Sequence, residues 1–432
     1  MPSVNSRIYS RTQIHFPTVK FLGINDLSNG RIAMKTGLSH LFIPGPTNVP
    51  ETVRRAMNVP MQDHRAPDFG DLTASIFADL KTVYGTTKGR VALFPGSGTG
   101  CWEAAITNTL NPGDKVLMAR HGQFSHLWAE MAKRMGLEVH LIDLPWGAGA
   151  PVKEFARILG ADRHGEIKAV FVTHNETATG VTSDVAGVRK ALDDALHDAL
   201  LFVDGVSSIG SIPFRMDDWG VDLAVTGSQK GLMSPAGLGM LAVSPKALKA
   251  MESSTMRRAF FDLADMLRAH DGGSFPYTPP VPLLHGVKAA LTRMMEEGLP
   301  NIHARHKRLA SGVRRAVAAW GLDLCAEHPT LYSDTVTAVR VPEGVDAREV
   351  IRIAYERYNC SLGSGLGPLN GKVFRIGHLG DLNEGMCLTA ISIAEMALVE
   401  AGARIKLGSG VAAAQEVYLM RPATPELRLA AE

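Results

Sequence analysis

Cysteine is scarce in this sequence of 432 residues: Cys101, Cys325, Cys360 and Cys387 are the four it has. They stand far apart and form no C-x-x-C pair, so neither a disulfide framework nor a zinc-ligand spacing can be read from them. The pattern suits a reducing compartment, and the cytoplasm is the expected location. Long apolar runs are missing as well. No stretch reaches the roughly 18 residues that a membrane-spanning helix needs, so no transmembrane segment is expected. Charge of one sign is not in excess either: 45 Lys and Arg face 43 Asp and Glu, a formal net charge of +2. Without a broad basic field the chain is not expected to hold nucleic acid or an anionic membrane, which leaves small molecules as ligands. No internal repeat, low-complexity tract or metal-ligand spacing is found.

What is present is ordinary for a globular protein, with 45% hydrophobic residues in a chain long enough to bury several cores without staples. The first 36 residues differ from the rest. Arg7, Arg11, Lys20, Arg31 and Lys35 are spread among Ser and Thr, with Asp26 as the one acid. That is the composition of an organelle transit peptide; the plainer reading, and the one preferred, is a disordered or spurious upstream extension with Met34 as the start.

Past Leu41, short apolar runs alternate with helical periodicity. Strands are expected over 91–95, 115–119, 138–142, 169–173, 200–204, 221–226 and 239–243, with helices over 102–110 and 124–135. Unbroken β-branched runs point to strands buried on both faces, hence a mostly parallel sheet flanked by helices. Ligands bind such sheets beyond the carboxyl ends of the strands, which draws attention to Thr173, Asp204 and Ser228. After about Ala259 the pattern changes. A breaker-rich loop over 272–280 leads into a long helical stretch over 282–320. A smaller α/β unit follows, with strands over 335–341 and 373–376 and helices over 347–358 and 384–401. The expected division is an extension over 1–36, a large α/β domain over 37–290, a small C-terminal α/β domain over 291–416 and a loose tail over 417–432.

Three motifs carry chemistry. In Val225-Thr226-Gly227-Ser228-Gln229-Lys230-Gly231 a lysine follows a strand end at once. Partial desolvation there favours its neutral, nucleophilic form, which can join a carbonyl as a Schiff base. In Leu201-Phe202-Val203-Asp204-Gly205 an aspartate ends a wholly apolar strand, where a carboxylate can keep a pyridinium nitrogen protonated. Gly96-Ser97-Gly98-Thr99-Gly100 precedes a helix and can cradle a phosphate on backbone N–H groups. Its spacing matches neither the dinucleotide fingerprint nor the P-loop. Taken singly, each has a plain structural reading: a surface lysine, a loop-capping aspartate, a helix cap. Their joint occurrence on successive strand ends is far more specific.

With these motifs in place the sequence resembles the class V aminotransferases, and more closely their serine–glyoxylate and alanine–glyoxylate branch. The segments that carry the likeness are PGPTNVPE, DHRAPDF, FPGSGTG, THNETATG, LLFVDGVSSIGS, VTGSQKG, FPYTPP and GKVFRIGHLG, collinear from about Leu41 to Leu407. The resemblance implies a fold-type I, pyridoxal 5′-phosphate-dependent transferase. Lys230 would carry the cofactor as an aldimine and act as the base at the α-carbon, with Asp204 on the pyridine nitrogen. Ser97, Gly98, Thr99 and Gln229 would hold the phosphate. Phe124 would stack on the ring, Val206 would pack its other face and Thr177 would bond its oxygen. Thr278 would reach the phosphate of a neighbouring subunit's cofactor, which makes the enzyme a homodimer with shared sites. Arg375 would grip the substrate carboxylate, and Gly45 with the PGPTN loop would cover it. His64 and Arg65 recur in the likeness without an assigned role.

The implied reaction is ping-pong transamination of glyoxylate to glycine, with L-serine as donor and 3-hydroxypyruvate as product. Aspartate or alanine are the alternative donors. More remote alternatives are a cysteine desulfurase-like enzyme, with Cys360 as the candidate nucleophile, and an inactive cofactor-binding assembly protein.

Overall fold

The apolar runs do form strands. In chain order these are β1 (His40–Phe42), β2 (Arg90–Gly96), β3 (Lys115–Arg120), β4 (Glu138–Asp143), β5 (Ile167–Thr173), β6 (Asn175–Glu176), β7 (Val181–Thr182), β8 (Leu200–Asp204), β9 (Leu223–Gly227), β10 (Gly237–Val243), β11 (Val336–Arg340), β12 (Cys360–Ser364) and β13 (Val373–Gly377). The computed structural model describes residues 37–420. The expectation for 1–36, and most of that for the tail, lies outside the described residues.

Seven strands make the main sheet in the order β2-β10-β9-β8-β5-β3-β4. β9, β8, β5, β3 and β4 run parallel to one another. β10 is antiparallel to both β2 and β9. Every residue of β8 and β9 is buried, as continuous apolar strands between two helical layers must be. Phe171 and Phe202 stack at 4.5 Å between neighbouring strands, and Trp128 closes on Phe171 at 4.7 Å. Full burial of one such side chain contributes about 2–3 kcal/mol, so these runs specify the sheet strongly.

The second sheet has the order β1-β12-β13-β11. Its core is Phe42, Leu362, Phe374 and Ile376, packed with residues of the helices Leu299–Ala319, Ala347–Tyr358 and Glu384–Glu400. Strand β1 stands at the head of the segment expected to be the large domain, yet it pairs in parallel with β12 and buries Phe42 in this second core.

The helical stretch expected over 282–320 is two helices, Val281–Glu297 and Leu299–Ala319. Gly298 breaks it with φ 79°, and Pro300 sits in the first turn of the second helix, a glycine-end and proline-start junction. The expected division at 290/291 falls inside the first of these helices, whose Leu284, Val287, Leu291 and Met294 belong to the main core. The tail expected to be loose from 417 begins as ordered chain. A helix runs Ser409–Leu419, and Arg308 donates to the carbonyls of Tyr418 and Met420. Buried Glu395 accepts the N–H groups of Gly408 and Gly410 at that helix's start. Among the described residues no helix is long and apolar enough to cross a membrane.

Register decides where chemistry can sit. Thr173 lies opposite Asp204, and Asp204 opposite Val225. Residues 174–177, 205–207 and 228–230 therefore emerge at one rim, the carboxyl edge of three parallel strands. β2 leads to the same rim and into the helix Gly98–Thr109.

Candidate active site

A cavity with about 540 Å³ of open space lies at that rim, lined by Ser97, Gly98, Thr99, Trp102, Phe124, Asn175, Thr177, Asp204, Val206, Ser207, Gln229 and Lys230. One wall is the start of the Gly98–Thr109 helix, where the first N–H groups have no intrahelical partner and the helix end is electropositive. Ser97 caps it, accepting the Gly100 N–H at 3.4 Å. A Cβ on Gly98 would fall 2.5 Å from Val206 Cγ2, so only glycine lets this turn close against the opposite wall.

Lys230 is half-buried, and its Nζ donates to the Pro44 carbonyl at 2.7 Å. Burial first, then the charge of Arg375, bring its amine down to about 8, with Asp204 opposing them. The Gly45 segment lies directly over this amine: a Cβ at Gly45 would come 2.3 Å from Nζ, and its φ of 112° also favours glycine. Thr47 fastens the segment, bonding the Gln229 carbonyl through its N–H at 3.1 Å and the Lys230 carbonyl through its hydroxyl at 3.2 Å.

Asp204 is 4% exposed and accepts the Val206 N–H at 2.9 Å. Burial pushes its carboxyl up to about 7, against that hydrogen bond, and the neighbouring Glu176 adds to the rise. A carboxylate so placed calls for a cation or an N–H⁺ donor. Gln229 Oε1 is shielded from solvent without a hydrogen-bond partner, an amide end left for a ligand. Arg375, on β13, does not line the cavity; it stands behind Thr177. Its Nε donates to the Ser364 carbonyl at 2.8 Å and its Nη1 to the Thr177 carbonyl at 3.0 Å. Burial lowers the guanidinium to about 10, which leaves it charged at neutral pH.

These residues fit the cofactor that the resemblance implies. A cradle that a Cβ would fill, an unpartnered amide, a buried carboxylate and a depressed lysine surround one cavity.

Thr278 is elsewhere: it is exposed and lines no part of this cavity. His64 is buried with Nε2 unpartnered, while Arg65 is exposed. Of the strand-end residues, Ser228 serves the fold, its hydroxyl donating to the Pro235 carbonyl at 2.6 Å. Thr173 is buried with its hydroxyl unpartnered and does not line the cavity. Cys360 lies buried in β12, its thiol pushed up to about 12 by burial, which is no setting for a mobile nucleophile. His378 spends its ring on the Thr337 hydroxyl at 2.9 Å and the Asp334 carbonyl at 3.1 Å.

Sequence reasoning missed Trp102, Asn175 and Ser207 as lining residues. Each sits within a few positions of a motif it did read. Asn175 donates to the hydroxyls of Ser207 at 2.8 Å and Thr335 at 3.0 Å, tying the cavity wall to the entry of β11.

The whole pattern matches the family model described as aminotransferase class V, over residues 41–366. The chain belongs to that family, and it is an aminotransferase. It is 55% identical over 395 residues to an L-aspartate–glyoxylate aminotransferase of Paracoccus denitrificans, covering 91% of this chain and 100% of the relative. It is 58% identical over 381 residues to a serine–glyoxylate aminotransferase of Hyphomicrobium methylovorum, covering 88% and 94%. Among solved structures, pyridoxamine–pyruvate aminotransferase from Mesorhizobium loti superposes with a TM-score of 0.83 at 28% identity, covering 89% of this chain and 97% of the other.

Proposed function

We propose that this enzyme moves an amino group from L-serine to glyoxylate, giving 3-hydroxypyruvate and glycine, with pyridoxal 5′-phosphate held on Lys230. The carrying observation is the depressed Lys230 amine facing the same cavity as buried Asp204 and the Ser97–Thr99 turn. When bound, the cofactor supplies the electron sink that makes an α C–H acidic. Asp204 would face the ring nitrogen and favour its protonated form. Ser97, Gly98, Thr99 and Gln229 would hold the phosphate, and Phe124 and Val206 would flank the ring. Thr177 would bond the ring oxygen. Lys230, brought down to about 8 by burial, would be the base that takes the proton from the amino acid's Cα. Arg375 lies outside the lining of the cofactor cavity, pinned by the Ser364 and Thr177 carbonyls; its remaining donors would take the substrate carboxylate where the substrate extends past Thr177, with the Gly45 segment over the Lys230 amine. The active form is a homodimer in which Thr278 of one chain completes the phosphate site of the other. Four buried free thiols suit the cytoplasm.

Serine is favoured over aspartate because, among the described residues, Lys230 is the one basic residue lining the cavity and Arg65 is exposed, which leaves no described cation there for a second carboxylate. Aspartate is the second reading, favoured by the Paracoccus relative that the chain covers in full. The test is glycine formation from glyoxylate with serine, alanine or aspartate as donor. The expected result is the highest kcat/KM with serine. An aspartate preference would keep the mechanism and replace the donor, and Arg65→Ala would then be examined for its effect on KM for aspartate. No glycine from any donor would overturn the glyoxylate assignment.

A further inference from the structure

The hairpin of β6 and β7 holds a carboxylate that the proposed chemistry leaves unused. Glu176 has no exposed surface. Its Oε2 accepts the Phe124 N–H at 3.0 Å and the Ser125 N–H at 2.9 Å, and its Oε1 accepts the Ala178 N–H at 3.2 Å. The first two donors open the helix Gln123–Arg134, where N–H groups lack intrahelical partners and negative charge is favoured. The third belongs to the turn that presents Thr177. One side chain thus ties two walls of the cavity together. The fit is close: a Cβ on Gly122 would fall 2.2 Å from Glu176 Cγ. Arg375 holds the same turn through the Thr177 carbonyl at 3.0 Å.

We infer that Glu176 is a positioning residue whose two oxygens set the separation between the Phe124 ring and the Thr177 hydroxyl. The inference rests on the proposed function, which puts those groups on a face and an edge of the cofactor ring. Charge matters as well as size, because only a carboxylate accepts hydrogen bonds at both ends. A glutamine there has a single acceptor oxygen and must turn an NH₂ toward either the Ala178 N–H or the Phe124–Ser125 pair.

The experiment uses holoenzyme carrying Glu176→Gln, Phe124→Ala, both together, or Gly122→Ala. Glu176→Gln is expected to lower kcat about 30-fold, since small misplacements of reacting groups are that costly. KM for the donor should stay within about threefold while the visible circular dichroism of the bound cofactor changes and thermal unfolding remains cooperative. In the Phe124→Ala background the same substitution should cost less than about threefold, because residues acting through one another are non-additive. Gly122→Ala keeps the carboxylate but displaces it, and should reproduce the spectral change. An equal loss with and without Phe124, or a loss with unchanged visible circular dichroism, overturns the inference. Should Glu176→Gln fail to fold, Gly122→Ala decides: a wild-type spectrum with full activity overturns it. If the unaltered protein makes no glycine, the proposed function falls first and this inference with it. If it makes glycine and Glu176→Gln equals it, the inference falls alone.

Discussion

At the scale of single residues, the site is an exercise in partial desolvation. An ordinary lysine amine, with a pKa near 10.5, is neutral in only about one molecule in several thousand at pH 7. Lys230 is brought down to about 8 by burial and by the Arg375 charge, so about one molecule in ten presents a free amine. The direction follows from the cation: burial disfavours the protonated form, so nucleophilicity is gained as pH rises toward 8, not toward 10. The apoprotein should therefore capture pyridoxal phosphate at a rate that climbs through pH 6 and 7 and levels off above about 8. Stopped-flow absorbance at a series of pH values measures this. Lys230→Ala is expected to bind the cofactor without covalent capture and to lose transamination. A capture rate still rising steeply at pH 10, or near-normal turnover by that variant, would remove Lys230 from its role.

At the scale of elements, punctuation residues decide where the chain changes direction. Gly298 joins two helices with φ 79° and ψ 133°, and a Cβ there would meet nothing nearer than 3.8 Å. Strain, not crowding, is thus the penalty for any other residue. Gly298→Ala should destabilise the protein by about 2 kcal/mol, seen as a lower urea midpoint with an unchanged slope and unaltered kcat. An unchanged midpoint would show that the junction relaxes freely. The same junction shows why sequence reasoning merged the two helices: apolar periodicity runs straight through it, and the glycine–leucine–proline signal was outweighed. Buried parallel strands were legible because continuous β-branched runs have few other fates, and β8 appears with the bounds read from sequence. That Asp204 and Lys230 come to one rim was legible for the same reason, since Asp204 ends one such run and Lys230 stands three residues past another. Trp102 and Asn175 were not, because whether a side chain just inside a helix or hairpin faces the cavity depends on what packs behind it. Strand β1 was missed because three residues carry too little pattern, and its partner β12 lies more than 300 positions away.

At the scale of the whole molecule, the single chain leaves the turn proposed to hold the phosphate half open. Ser97 and Thr99 are exposed although they flank buried Gly98, and Thr278 is exposed away from the cavity of its own chain. Nearby, Phe260 is 47% exposed and stacks on Tyr277 at 4.3 Å, an aromatic surface of the kind that packs at subunit contacts. If Thr278 serves the other chain, losing its hydroxyl removes one hydrogen bond to a charged phosphate, about 1.5–3 kcal/mol or at least tenfold in cofactor Kd. Thr278→Val should show that loss while keeping the mass of a dimer by sedimentation. The decisive form of the experiment mixes Lys230→Ala chains with Thr278→Val chains and assays them at limiting cofactor. With sites shared between chains, each mixed dimer holds one doubly defective site and one with both Lys230 and Thr278 intact, so activity rises above that of either variant alone. With sites confined to one chain, every site in the mixture carries a defect and no activity is regained.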